Sequence, residues 1–104
     1  QKLTSDKLKE QYSSQLLQAQ MEWNQTKRDL NDISFELRQE SDIVQQASEA
    51  LRIIKDRYEQ GLEKTTDLLV AQTQLSEQQL NYAATIYKQN LTAAYLDFIT
   101  STNI

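Results

Sequence analysis

Apolar and small side chains recur through the first half of the chain at alternating steps of three and four. Tyr12, Leu16, Ala19, Trp23, Leu30, Ile33, Leu37, Val44, Ala47, Leu51, Ile54 and Tyr58 keep that rhythm, with Thr26 and Glu40 as its two polar members. A period of about 3.5 residues held over this distance specifies a helix that supercoils left-handed against a partner. The run covers about residues 4–59, an extent of ~80 Å at ~1.5 Å per residue, too long for an isolated globular helix. Leu17, Ile43, Ala50 and Ile53 lie beside the seam and widen it toward one end, which points to more than one neighbour there.

The pattern breaks once. Gly61 is the single glycine of a chain without proline, and it falls where a left-handed residue ends a helix. Thr65, Thr66 and Asp67 are candidate N-caps for a second helix, and Asp67 also suits the positive end of a helix. With a turn of about residues 60–65, the two helices should pack antiparallel. The predicted fold is therefore all-α, a single long antiparallel two-helix coiled-coil hairpin over residues 1–104.

The second helix, about residues 66–100, is patterned differently. One stripe holds Leu68, Leu75, Tyr82 and Ile86; another holds Leu69, Leu80, Ala84, Tyr87, Leu91, Tyr95 and Phe98. A helix apolar on two sides fits a stave held between two neighbours. The helices are also unequal, so residues from about Lys2 to Trp23 should lack an intrachain partner. Tyr12, Leu16 and Trp23, with Leu30, Ile33 and Leu37 further on, then read as an assembly seam covered from outside the chain.

Charge sharpens this contrast. Of the 11 basic and 15 acidic residues, only Glu77, Lys88 and Asp97 lie beyond position 67, where amides fill the polar positions. The net charge of −4 argues against a nucleic-acid partner, which selects a basic surface. Without His or Cys the usual zinc ligands, thiol nucleophiles and imidazole bases are missing. No cofactor is expected, and no residue constellation suggests an enzyme. Glu36 and Glu40 form a carboxylate pair only in spacing, on a helix surface without a pocket. Glu40 is the one inconsistency of the first seam, with Arg38, a partner's base or an aqueous lumen as its outlets. Tyr82, Tyr87 and Tyr95 read as packing rather than as a ligand box. No apolar run approaches the ~18 residues that span a bilayer as a helix. The chain starts at Gln1 and reads as a piece of a larger protein.

Three linked motifs carry a resemblance: Arg57-Tyr58-x-x-Gly61-Leu62, then Asp67-Leu68-Leu69-x-Ala71-Gln72-x-x-Leu75, then Gln79-x-x-Tyr82-x-x-x-Ile86-Tyr87. Together they resemble the C-terminal helical hairpin of TolC-family outer-membrane efflux proteins, over roughly residues 50–96. Residues 1–49 match only as a generic long helix. The resemblance implies a trimeric conduit of Gram-negative bacteria, its helices forming a periplasmic tunnel below an outer-membrane β-barrel that this chain lacks. It implies that Gln60, Gly61 and Leu62 form the tip that docks on a periplasmic adaptor, and through it on an inner-membrane transporter. It gives Tyr58 and Asp67 a candidate gate role, weighed against seam closure for Tyr58 and a first-turn acid for Asp67. The sequence departs from the family at Val70, where a second gate aspartate can stand, and at Glu63, where some members are basic. The rival readings are the α-hairpin of the adaptor itself and a structural coiled-coil scaffold. Residues 52–67 lack the Arg-, Leu- and Ser-containing series of adaptor tips.

Overall fold

A computed structural model describes residues 2–102 as two α-helices, α1 (Lys2–Glu59) and α2 (Thr65–Thr102), with no strand among the described residues. The elements follow from composition. Gln, Leu, Ala, Glu and Lys all favour the helix, and nothing between Lys2 and Glu59 removes a backbone donor or frees the backbone. The fold predicted from the period is the fold observed: two long helices, antiparallel across a short turn.

Packing divides the chain into two units. The second unit, Ile33–Gln89, is a hairpin in itself. On α1 it turns Ile33, Leu37, Glu40, Val44, Ala47, Leu51 and Ile54 inward; on α2, Leu68, Ala71, Leu75, Gln78, Tyr82, Thr85 and Gln89. Both sets step by three and four, so each helix offers a heptad seam to the other. Gln89 reaches the Ser34 hydroxyl at 3.4 Å, Thr85 donates to Glu40 Oε1 at 3.0 Å, and Thr65 meets the Tyr58 hydroxyl at 3.4 Å. These pairs advance along α1 while retreating along α2, as an antiparallel register requires. Ile33, at 3% exposure, and Ala71 are its most enclosed apolar residues.

The first unit takes Gln1–Asp32 and Asn90–Ile104. Within it Ala19, Trp23, Thr26 and Leu30 of α1 and Thr92, Leu96 and Ile99 of α2 are buried or half-buried. Thr26 is buried and returns its hydroxyl proton to the Glu22 carbonyl at 2.8 Å, which satisfies a polar side chain in an apolar line.

Three expectations need correction. Trp23 does have an intrachain partner: its indole N–H donates to Thr100 Oγ1 at 3.1 Å, because α2 reaches Thr102. The uncovered stretch of α1 ends near Ala19, the first half-buried residue. On α2, the inward line is not the short set of Leu68, Leu75, Tyr82 and Ile86 alone. It continues through Gln78, Thr85, Gln89 and Thr92, polar residues that hide a regular heptad from a hydrophobicity reading. Glu40 finds neither Arg38 nor a lumen as its bonded partner. Its partner is Thr85.

Candidate docking tip and assembly faces

The turn is built from the last residues of α1 outward. Gly61 has φ of 78°, the left-handed conformation in which a side chain costs energy and glycine does not. Its N–H donates to the Tyr58 carbonyl at 3.0 Å, and the Leu62 N–H donates to the Arg57 carbonyl at 2.8 Å. That pair of bonds is a Schellman motif, with Gly61 as the left-handed residue and Leu62 just beyond it. Gln60 shares its N–H between the Asp56 and Arg57 carbonyls, both at 3.2 Å. The Asp56, Arg57 and Tyr58 carbonyls at the end of α1 are thus used within the turn.

Side chains brace the same turn. Arg57 Nε lies 3.0 Å from Glu63 Oε1, an ion pair that ties the end of α1 to the start of α2. Glu63 is half-buried beneath it. Glu63 is thus a strut of the turn, while Glu59 and Lys64 are exposed. The Lys64 carbonyl accepts the N–H groups of Asp67 at 3.1 Å and Leu68 at 3.3 Å, so it opens the ladder of α2. The cap position therefore falls one residue before Thr65, and Asp67 sits in the first turn, where its carboxylate faces the positive end of the helix dipole.

Leu62 stands apart in this arrangement. The residue after a Schellman glycine often folds its side chain back on the helix, yet Leu62 is 62% exposed. Gln60 and Gly61 are exposed beside it, so the predicted docking residues share one open tip. The predicted gate pair is also at this end. Tyr58 is exposed and reaches Thr65 by a long hydrogen bond, and Asp67 is exposed.

The predicted assembly seam divides. Trp23, Leu30, Ile33 and Leu37 pack within the chain, whereas Tyr12 and Leu16 are exposed on the part of α1 that α2 does not cover. Trp23 anchors the first unit from three sides of its chemistry: the bond to Thr100, the Lys27 ammonium 4.5 Å from its ring centroid, and half-burial of the ring. Close by, the Tyr95 hydroxyl donates to Glu22 Oε1 at 2.7 Å. That bond, foremost, with desolvation and the carboxylate charge, raises the Tyr95 pKa above the usual phenol value.

Along α2, the second stripe of the sequence stays outside. Leu69, Leu80, Tyr87, Leu91, Tyr95 and Phe98 are all exposed. The outer side of α1 differs: Glu49, Arg52 and Asp56 form a ladder of ion pairs there, with Arg52 at 2.6 Å from Glu49 and 3.4 Å from Asp56. Arg52 holds the Glu49 carboxyl below its ordinary pKa, first by hydrogen bonding and then by its charge. Sequence reasoning missed the Arg57–Glu63 strut and the Glu22–Tyr95 bond, both of which join residues too distant in sequence for helical spacing to reveal.

Open surface depressions lie beside Gln18, Met21, Glu22 and Arg28 and beside Leu37, Arg38, Ser41, Asp42 and Tyr82. Among the described residues, no three His, Cys, Asp or Glu side chains cluster as metal ligands would, and no helix is long and apolar enough to cross a membrane. No family model, curated protein or solved structure matches the chain.

Proposed function

We propose that this chain is a wall segment and adaptor-docking tip of a trimeric outer-membrane channel of the efflux or type I secretion kind. The observation that carries the reading is the tip: a rigidly closed turn that leaves Leu62 in solvent beside Gly61. A turn needing only to reverse the chain has no use for an uncovered leucine at its apex. The resemblance of residues 57–87 to the tip of TolC-family hairpins supports the same conclusion, as do the two apolar sides of α2.

In this reading the chemistry is mechanical. Helices stand side by side as the tunnel wall in the periplasm, and the outer membrane is reached through a β-barrel belonging to the rest of the protein. The tip meets the hairpin of a periplasmic adaptor, which links it to an inner-membrane transporter. An adaptor that binds the open arrangement more tightly shifts the population toward opening, by no more than its difference in affinity for the two states. No transported compound is chemically altered.

The test is adaptor binding by the Leu62→Asp variant. Leu62 packs against little, so the substitution leaves the helices intact, as circular dichroism will verify. Affinity for a cognate adaptor hairpin, measured by calorimetry, should fall at least tenfold, about 1.4 kcal/mol. Equal affinity of variant and parent would remove the docking role. A scaffold, by contrast, would show no adaptor affinity in the parent chain.

A further inference from the structure

Within the second unit, each helix carries large apolar side chains on the edge it turns away from the other. On α1 these are Phe35, Ile43 and Ile53, and on α2 Leu69, Leu80 and Tyr87, from 42% to 71% exposed. Phe35 and Ile53 follow the inward residues Ile33 and Leu51 by two positions, as Leu80 and Tyr87 follow Gln78 and Thr85. Two positions carry a side chain ~200° round a helix at ~100° per residue, so these four point away from the seam. Leu69 lies within ~20° of the line through Leu80 and Tyr87, and Ile43 lies ~80° to one side of its own line.

The two edges are matched in height. Ser34 bonds to Gln89, Glu40 to Thr85 and Tyr58 to Thr65, which fixes the levels across the hairpin. Counting one residue back on α2 for each residue forward on α1, Phe35 comes level with Lys88, Ile43 with Tyr82 and Ile53 with Val70. Tyr87, Leu80 and Leu69 lie only one, two and one residues from those positions, all toward the turn. At ~1.5 Å per residue, three apolar levels on one edge stand within ~3 Å of three on the other. Nothing inside the chain calls for this match, because the two edges face opposite ways. We propose that the second units of neighbouring copies of this chain pack head to tail, the α1 edge of one against the α2 edge of the next. A rotation about an axis parallel to the helices leaves every residue at its own height. Phe35 then meets Tyr87 of the next copy, Ile43 meets Leu80, and Ile53 meets Leu69.

The match of heights selects this contact over its rivals. Joining α1 to α1, or α2 to α2, about a two-fold axis uses one edge, leaves the other bare and asks for no agreement between them. A head-to-tail contact uses both edges of every copy and closes into a ring when the rotation allows. It is the contact a three-fold wall needs, and it rests on that reading for the number of copies. Polar side chains agree with the same register. Glu49 stands opposite Thr73, Asp56 opposite Thr66 and Glu77 opposite Gln46, so these carboxylates meet hydroxyls and an amide instead of acids. Asp42 is the misfit, since it comes opposite Leu80. Three large side chains from each copy, with the smaller residues between them, cover on the order of 1,000 Å² in total, the low end for a specific contact. Each contact is weak alone. It gains when a ring closes, because the last one forms within an assembly already joined.

The chain has no cysteine, so introduced ones report the geometry directly. An equimolar mixture of Ile43→Cys and Leu80→Cys chains, oxidised at high concentration, should give the mixed disulfide well beyond the proportion that random pairing sets. A single chain carrying both substitutions should form a covalent series and no internal bridge. Its two cysteines lie on opposite edges of one hairpin, beyond the ~7 Å a disulfide tolerates. Leu80→Glu should weaken self-association at least tenfold in sedimentation equilibrium, with helicity unchanged, because it sets a charge against Ile43 of the next copy. Asp42→Asn should strengthen it. Disulfides in random proportion, or a parent chain that sediments as a monomer at millimolar concentration, overturns the proposal. A covalent series that runs past three copies upholds this contact and removes the three-fold wall. None of these measurements involves an adaptor, so their failure is also distinct from failure of the docking role.

Discussion

Among single residues, Tyr95 and Glu40 show how the same pairing of hydroxyl and carboxylate differs with surroundings. The Tyr95 phenol donates to Glu22 in an exposed setting, and its pKa is raised. A neutral phenol held by the fold is favoured below its unfolded pKa of about 10, and that preference is lost as pH rises through the higher folded value. In an NMR titration Tyr95 should therefore ionise above the ordinary phenol value. Glu22→Gln should lower that titration toward the ordinary value; an unmoved titration would mean that the bond does not form in solution. Glu40 sits on the seam itself. Thr85 has one hydroxyl proton for two acceptors, Glu40 Oε1 at 3.0 Å and the Asn81 carbonyl at 3.1 Å, and Glu40 Oε2 is buried without a partner. A carboxylate so placed costs stability that an apolar side chain recovers. Glu40→Leu should raise the urea-unfolding free energy by about 1 kcal/mol, and a loss of stability would instead assign the carboxylate a necessary hydrogen bond.

Between the helices, Gly61 governs how the chain reverses. Nothing lies within 4 Å of the position its Cβ would take, so steric conflict with neighbours does not enter. What remains is the cost of a left-handed backbone. Gly61→Ala should destabilise the chain by about 1 kcal/mol, and Gly61→Asn by less than half of that, since asparagine tolerates this conformation. Equal losses in thermal unfolding would show that something other than φ sets the cost. This element was legible in the sequence because one glycine in a chain without proline has few roles open to it. The first seam was legible too, down to its polar members Thr26 and Glu40, since the apolar positions on either side held the period around them. The inward line of α2 was not. Gln78, Thr85, Gln89 and Thr92 carry no hydrophobic signal, and their burial depends on α1 lying against them. The Arg57–Glu63 ion pair was equally hidden, because it exists only once the turn has brought two helix ends together. In the candidate site, then, backbone-determined features were readable and those made by tertiary closure were not.

Taken over the whole chain, stability should be distributed very unevenly along α1. α1 has 58 residues against 38 in α2, and every described side chain from Thr4 to Gln18 is exposed. An isolated helical stretch of this length is marginal in water, since its hydrogen bonds alone hardly repay the ordering of the backbone. Tyr12 and Leu16 keep the seam period there but bury nothing. From Ile33 onward the same period encloses side chains turn after turn. Amide hydrogen exchange should therefore be fast over residues 4–16 and protected toward the global unfolding limit over residues 33–54. Mutation should follow the same gradient. Ile33→Ala removes a side chain that is 3% exposed and should cost about 2–4 kcal/mol. Leu16→Ala should fall within about 0.5 kcal/mol of the parent, as exposed substitutions do. Both readouts have a further use. In an assembly that covers Tyr12 and Leu16, protection should extend back through residues 4–16, and Leu16→Ala should become costly in the assembly while remaining neutral in the isolated chain. If exchange at residues 4–16 is already slow in the isolated chain, the continuation of the seam is not an unfilled contact.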